Sequence, residues 1–224
     1  MNFKNFSEAP LLVIDPSISL VDYLPIDISK SNSELENFDI SSSIEWSNYI
    51  ENYLSKKNAK VVFGGYLEVR DIYARSSYFK SQDVKNERNI HLGIDFWCLE
   101  NTSVLSVLDG EIHSFKNNKN HGDYGPTIII KHQFKETAFY SLYGHLTISS
   151  IKNLELGQKV KRGEVIGFLG DASVNGDYAP HLHFQLIKDL QGNFGDYPGV
   201  CSLNELAFYK ENCPNPNDLL KLKI

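Results

Sequence analysis

Apolar and polar positions alternate most sharply in two short segments, His91-Leu92-Gly93-Ile94-Asp95-Phe96 and His181-Leu182-His183-Phe184-Gln185-Leu186. Side chains two apart on a β-strand share a face, so His91, Gly93 and Asp95 line one side while Leu92, Ile94 and Phe96 line the other. In the second segment His181, His183 and Gln185 share a face, with Leu182, Phe184 and Leu186 turned to a core. A strand is predicted over each. From Val61 onward, short apolar runs recur between turn residues. Val104–Leu108 and Glu111–Phe115 flank Asp109-Gly110, which predicts a hairpin. Thr127–Lys131 and Phe139–Tyr143 read as further strands, and Lys159–Lys161 and Glu164–Leu169 flank a tight turn at Arg162-Gly163. Short strands joined by turns predict a mainly β fold, an antiparallel sheet or sandwich.

The first sixty residues have a different texture. Serine, aspartate and asparagine crowd residues 15–43, and a helix is predicted after a capping box of Ser42 and Glu45. Trp46, Tyr49, Ile50, Tyr53 and Leu54 recur at helical spacing and form one buried stripe, and Asn58 marks the end. This divides the chain into an N-terminal extension with one helix, residues 1–60, and a main domain, residues 61–224. A second capping box, Ser202 and Glu205, predicts a C-terminal helix over Ser202–Asn212. Eleven helical residues would hold Cys201 and Cys213 about 16 Å apart. That is too far for a disulfide, so the three cysteines are expected as thiols.

Composition narrows the partners. The chain of 224 residues carries a net charge of −6 with its basic residues scattered, so neither nucleic acid nor an anionic membrane is an expected partner. No apolar run approaches the roughly 20 residues of a membrane span. The apolar stretch Leu11–Ile14 is too short for a secretion signal, and a cytoplasmic location is the expectation.

Candidate chemistry lies on the polar faces of the first two strands. Neutral imidazoles with a carboxylate suit zinc, and three protein ligands leave a fourth position open for water. A third segment, Tyr140-Ser141-Leu142-Tyr143-Gly144-His145-Leu146, makes the set specific. In the order His-x-Gly-x-Asp, Tyr-x-His-Leu, His-Leu-His-Phe, the chain resembles the lysostaphin-type zinc metallopeptidases, bacterial peptidoglycan endopeptidases. The resemblance covers about Asn89 to Leu186, including Asp109-Gly110, Tyr124-Gly125 and Leu156-Gly157-Gln158-Lys159-Val160.

The resemblance implies zinc held by His91, Asp95 and His183, with His181 as general base and His145 beside it. It implies a peptide or peptidoglycan-derived substrate. A catalytically silent zinc-binding regulatory module of the same fold is the alternative. A sugar-transport phosphocarrier is disfavoured by the His-Leu-His motif, and a biotin or lipoyl carrier by the residues around Lys161-Arg162-Gly163. Three departures bear on substrate rather than metal: Ala179-Pro180 before the His-x-His motif, the long loop Asp171–Tyr178, and Tyr66–Arg70 with Tyr73–Arg75 upstream. Arg70 and Arg75 are expected to pair with nearby acids. His132 is expected to be a packed or surface residue. Tyr143 is expected either to pack or to bond toward the site.

Overall fold

The computed structural model describes residues 3–76, 79 and 81–223. Its strands are β1 (Tyr23–Pro25), β2 (Val61–Gly64), β3 (Ile90–His91), β4 (Ile94–Trp97), β5 (Ser103–Leu105) and β6 (Gly110–Asn118). They continue with β7 (Gly125–Phe134), β8 (Thr137–Gly144), β9 (Lys159–Val160), β10 (Val165–Phe168), β11 (His181–Ile187) and β12 (Val200–Cys201). The main sheet runs β1-β2-β4-β11-β8-β7-β6-β9 and is antiparallel except for the parallel β1/β2 pair. Two small antiparallel pairs, β5/β10 and β3/β12, complete the strands. The mainly β architecture is as expected, with helix α1 (Ser43–Lys57) in the N-terminal part. The other helices are α2 (Ile148–Ile151), α3 (Leu206–Asn212) and α4 (Asn217–Leu220). Among the described residues, no helix is long and apolar enough to cross a membrane.

Side-chain alternation on β11 sets the two faces of the sheet. Leu182, Phe184 and Leu186 join Phe96, Ile128, Ile130 and Tyr143 in a core closed by Val104, Leu146, Ile166 and Leu169. Phe3, Leu11, Val13 and Ile14 enter the same core, and Ile14 bridges to Val104. The opposite face carries the histidines.

On α1, Trp46 and Ile50 are buried and Tyr49, Tyr53 and Leu54 pack beside them, with Ile26, Ile28, Val62 and Trp97. Ser42 caps the helix by accepting from the Glu45 amide at 3.3 Å, and Asn58 ends it in the left-handed conformation at φ 51°. The capping box is half formed. The Glu45 carboxylate accepts from the amide of Asp39, at 2.7 Å, so the reciprocal bond to Ser42 is not made.

Three local expectations change. The segment 91–96 is not one strand: Leu92 and Gly93 separate β3 from β4, which pair with different partners. Asp109-Gly110 does not close a hairpin, because β5 pairs with β10 and β6 pairs with β7 and β9. Here Asp109 instead bonds to the Arg162 amide at 2.9 Å and to Lys161 at 3.0 Å, tying together two turns distant in sequence. Finally, Ser202 and Glu205 do bond to each other, at 2.8 Å between side chains, but the helix begins only at Leu206. Cys201 and Cys213 therefore sit in one apolar cluster instead of at opposite ends of a helix. All three thiols are free and buried, and burial pushes each up to about 12.

Candidate metal and catalytic site

Sheet register brings the motif residues together. β11 lies between β4 and β8, with His183 opposite Asp95 on one side and opposite Gly144 on the other. His181 stands opposite Trp97 and stacks on its indole, with ring centroids 5.6 Å apart. His91 arrives from β3 just before the break. At Gly93, a Cβ would lie 2.7 Å from both His183 Cε1 and the Phe184 carbonyl, so only glycine leaves the imidazole its place.

His91, Asp95 and His183 converge as an almost fully buried triad. His91 Nε2 lies 2.9 Å from His183 Nδ1 and 3.3 Å from Asp95 Oδ1, and His183 Nδ1 lies 3.0 Å from Asp95 Oδ1. The remaining ring nitrogens are taken. His91 donates from Nδ1 to the Gly65 carbonyl at 2.9 Å, and His183 donates from Nε2 to Gln185 Oε1 at 2.9 Å. Gln185 is itself oriented by donating its Nε2 to Pro198 O at 3.1 Å. With those nitrogens donating outward, His91 Nε2 and His183 Nδ1 are the ring nitrogens that face inward.

Burial pushes His91 down to about 3, with the Arg70 guanidinium acting in the same direction. Burial acts to raise Asp95, but His91 and Arg70 beside it hold the carboxyl well below the usual carboxylate range. Two ring nitrogens that are not used in outward hydrogen bonds and a carboxylate oxygen thus face one another, an arrangement suited to a cation. Ligands at about 2.0–2.1 Å in a tetrahedron stand roughly 3.3 Å apart, close to the observed separations. The donor set fits zinc.

His145 and His181 lie beside this triad. His145 donates from Nδ1 to the Asn175 carbonyl at 2.7 Å, and His181 from Nδ1 to the Ala179 carbonyl at 2.7 Å. Each is left with Nε2 as a basic nitrogen. Burial lowers both pKa values; for His145 the neighbouring His181 and His183 add to the effect. His145 follows Gly144 at the end of β8 with φ of 64°, a left-handed conformation unusual for a residue with a side chain. Its amide donates to Tyr124 O at 2.8 Å and its carbonyl accepts from Gly170 at 2.9 Å, so tertiary bonds hold the strained backbone on both sides.

All five residues border one cavity of about 190 Å³ whose walls include Trp46, Trp97, Tyr124, Tyr178 and Tyr197. The tyrosines were not singled out as site residues by pattern, since an aromatic in a loop has no periodic signature. Arg70 pairs with acids as expected, and one of them is Asp95, at 2.6 Å. Arg75 bonds mainly to carbonyls, those of Ser41, Gly176 and Asp177, and lies over the Tyr178 ring. Tyr143 faces away from the site and accepts from the Val107 amide at 2.9 Å. His132 is buried outside the cavity, 2.6 Å from Ser141 Oγ.

A His-Asp-His triad beside a second pair of histidines on one face of a sheet is an arrangement suited to metal-assisted hydrolysis. Residues 89–194 match the model of Peptidase family M23, the kind of match that the resemblance to lysostaphin-type peptidases implied. The chain is 30% identical over 112 residues to the cell division protein DipM of Caulobacter vibrioides, covering 50% of this chain and 17% of that protein. It is 30% identical over 103 residues to the glycyl-glycine endopeptidase ALE-1 of Staphylococcus capitis, covering 46% of this chain and 26% of that protein. The matched region is thus a minor part of both relatives. Among solved structures, the catalytic domain of lysostaphin from Staphylococcus simulans is 25% identical with a TM-score of 0.37, over 55% of this chain and 80% of that one. A zinc-containing peptidase from Vibrio cholerae is 28% identical with a TM-score of 0.36, over 48% of this chain and 30% of that one.

Proposed function

We propose that the chain is a zinc-dependent endopeptidase that hydrolyses a peptide bond in a peptidoglycan-like peptide. The observation that carries this reading is the meeting of two inward ring nitrogens and a carboxylate oxygen within 3.3 Å, next to a second pair of histidines in the same cavity. His91 would hold the metal through Nε2, His183 through Nδ1 and Asp95 through Oδ1. Bound there, zinc supplies Lewis acidity toward water and toward a scissile carbonyl.

The chain's own residues handle the protons. His181, with Nδ1 committed to Ala179, accepts the proton of the attacking water at Nε2 and returns it to the leaving amine. His145 Nε2 accepts in its neutral form and becomes a donor to the developing oxyanion only once protonated. Burial keeps both imidazoles unprotonated at neutral pH, as a general base requires. Trp97 stacks on His181 and Tyr178 stands edge-on to both histidines, which restricts ring rotation and excludes water. The endopeptidase among its relatives supports a peptide substrate.

Metal analysis of the purified chain, followed by hydrolysis assays on muropeptides and on unrelated peptides, tests the reading. Stoichiometric zinc and cleavage of muropeptides are expected. A chain that takes up no zinc, or that binds zinc and cleaves nothing, would overturn it.

A further inference from the structure

Arg70 is an expensive residue to place where it stands. Its side chain is 3% exposed, and its Nη2 has no hydrogen-bond partner. A buried donor left unsatisfied costs about 1–3 kcal/mol. Nη2 fits only because residue 65 is glycine, since a Cβ there would lie 1.8 Å from it. The other nitrogens are fully used. Nε donates to Glu68 Oε2 at 2.6 Å, and Nη1 donates to Asp95 Oδ2 at 2.6 Å and to the Tyr73 hydroxyl at 3.2 Å. Glu68 is held in turn, its Oε1 accepting from the Ile28 amide at 3.2 Å. A relay therefore runs from the segment before α1, through Glu68 and Arg70, to the carboxylate of the triad.

The two oxygens of Asp95 have separate duties. Oδ2 belongs to Arg70, while Oδ1 faces His91 and His183. A free carboxylate could rotate or present both oxygens to a cation; one gripped at Oδ2 presents a single oxygen in a fixed direction. Gly65 joins the two sides of this arrangement, because its carbonyl orients His91 while its missing side chain admits Nη2.

We propose that Arg70 is a positioning residue of the metal centre: anchored on Glu68, it holds Oδ2 of Asp95 and so fixes Oδ1 as a one-oxygen ligand before any metal arrives. This rests on the metal-centre reading above. The N-terminal segment is thereby part of the centre's support, through the Ile28 amide.

The test compares the full chain with R70M, R70K and E68Q. Zinc affinity is read by competition with a chromophoric chelator, and ligand geometry by the visible spectrum of the cobalt(II)-loaded protein. R70M should lose affinity about tenfold or more and change the cobalt spectrum. R70K, able to reach one carboxylate but not grip both, should recover part of the loss, and E68Q should fall between R70K and the unmodified chain. If R70M does not fold, R70K and E68Q decide on the same readouts. Unchanged affinity and an unchanged cobalt spectrum in the folded variants would overturn the assignment while leaving the metal centre intact. An unmodified chain that binds neither metal would overturn the centre itself, and the role of Arg70 with it.

Discussion

The rings of His145 and His181 lie 4.1 Å apart between centroids, tilted by 37° to each other, though they come from segments 36 positions apart in the chain. Each has Nδ1 on a backbone carbonyl of the loop 171–180, so one loop sets the tautomer of both. In the proposed function the pair handles protons and stands outside the His91–Asp95–His183 triad.

That separation predicts how substitutions divide. His181→Ala should retain zinc and lose about 10²- to 10⁴-fold in kcat, the usual worth of a positioned general base. Zinc content and turnover measured on the same sample check it. Activity near that of the unmodified chain would assign the base elsewhere.

Removing a triad residue should act on the metal first. His91→Ala, Asp95→Ala or His183→Ala leaves two of three protein donors, and stoichiometric zinc should be absent after dialysis. Elemental analysis reads this directly, and zinc retained by all three variants would place the ion at another site. Extended dialysis of the unmodified chain against a chelator should abolish hydrolysis, with activity restored by added zinc.

Gly93→Ala probes the space beneath His183. The new Cβ would fall 2.7 Å from the Phe184 carbonyl, which is backbone and cannot swing aside. A destabilisation of about 1–3 kcal/mol is expected, together with weaker zinc binding. Gly163→Ala is the comparison, since nothing lies within 4 Å of its Cβ and any cost there comes from its positive φ. Urea unfolding of both variants separates the two causes; a neutral Gly93→Ala would mean that β11 can shift.

The pH dependence of stability should carry a contribution from His132. Burial pushes this imidazole down to about 4, against a value of about 6.5 when unfolded. Below 6.5 the unfolded chain binds a proton that the folded chain refuses. The stability this group contributes is complete above 6.5 and is lost as pH falls toward 4, by on the order of 3 kcal/mol. His91 and Asp95 act with the same sign in the metal-free protein, because both fold with lowered pKa values. His132→Gln should therefore flatten, but not abolish, the fall in stability between pH 6.5 and 4.5, measured by urea unfolding. An unaltered slope would remove His132 from the account.

Sequence by itself determined what depends on local spacing. The alternation in His181–Leu186 decided which side chains of β11 enter the core and which face the cavity, because successive strand residues must point opposite ways. The stripe and caps of α1 were legible for the same reason, since a helix repeats at fixed spacing. His91, Asp95 and His183 could be named as candidate ligands because their motif order resembles that of a family, and the fold brings the three together. Tertiary structure decided which strand lies next to which. No local signal says that β5 leaves Asp109-Gly110 to pair with β10, that Leu92-Gly93 interrupts a continuous alternation, or that the Ser202 cap delays its helix to Leu206. These outcomes turn on contacts between residues far apart in the chain. The grip of Arg70 on Asp95 is of the same kind: 25 positions separate them, and only the tertiary fold brings the guanidinium to one oxygen of that carboxylate and leaves the other facing His91 and His183.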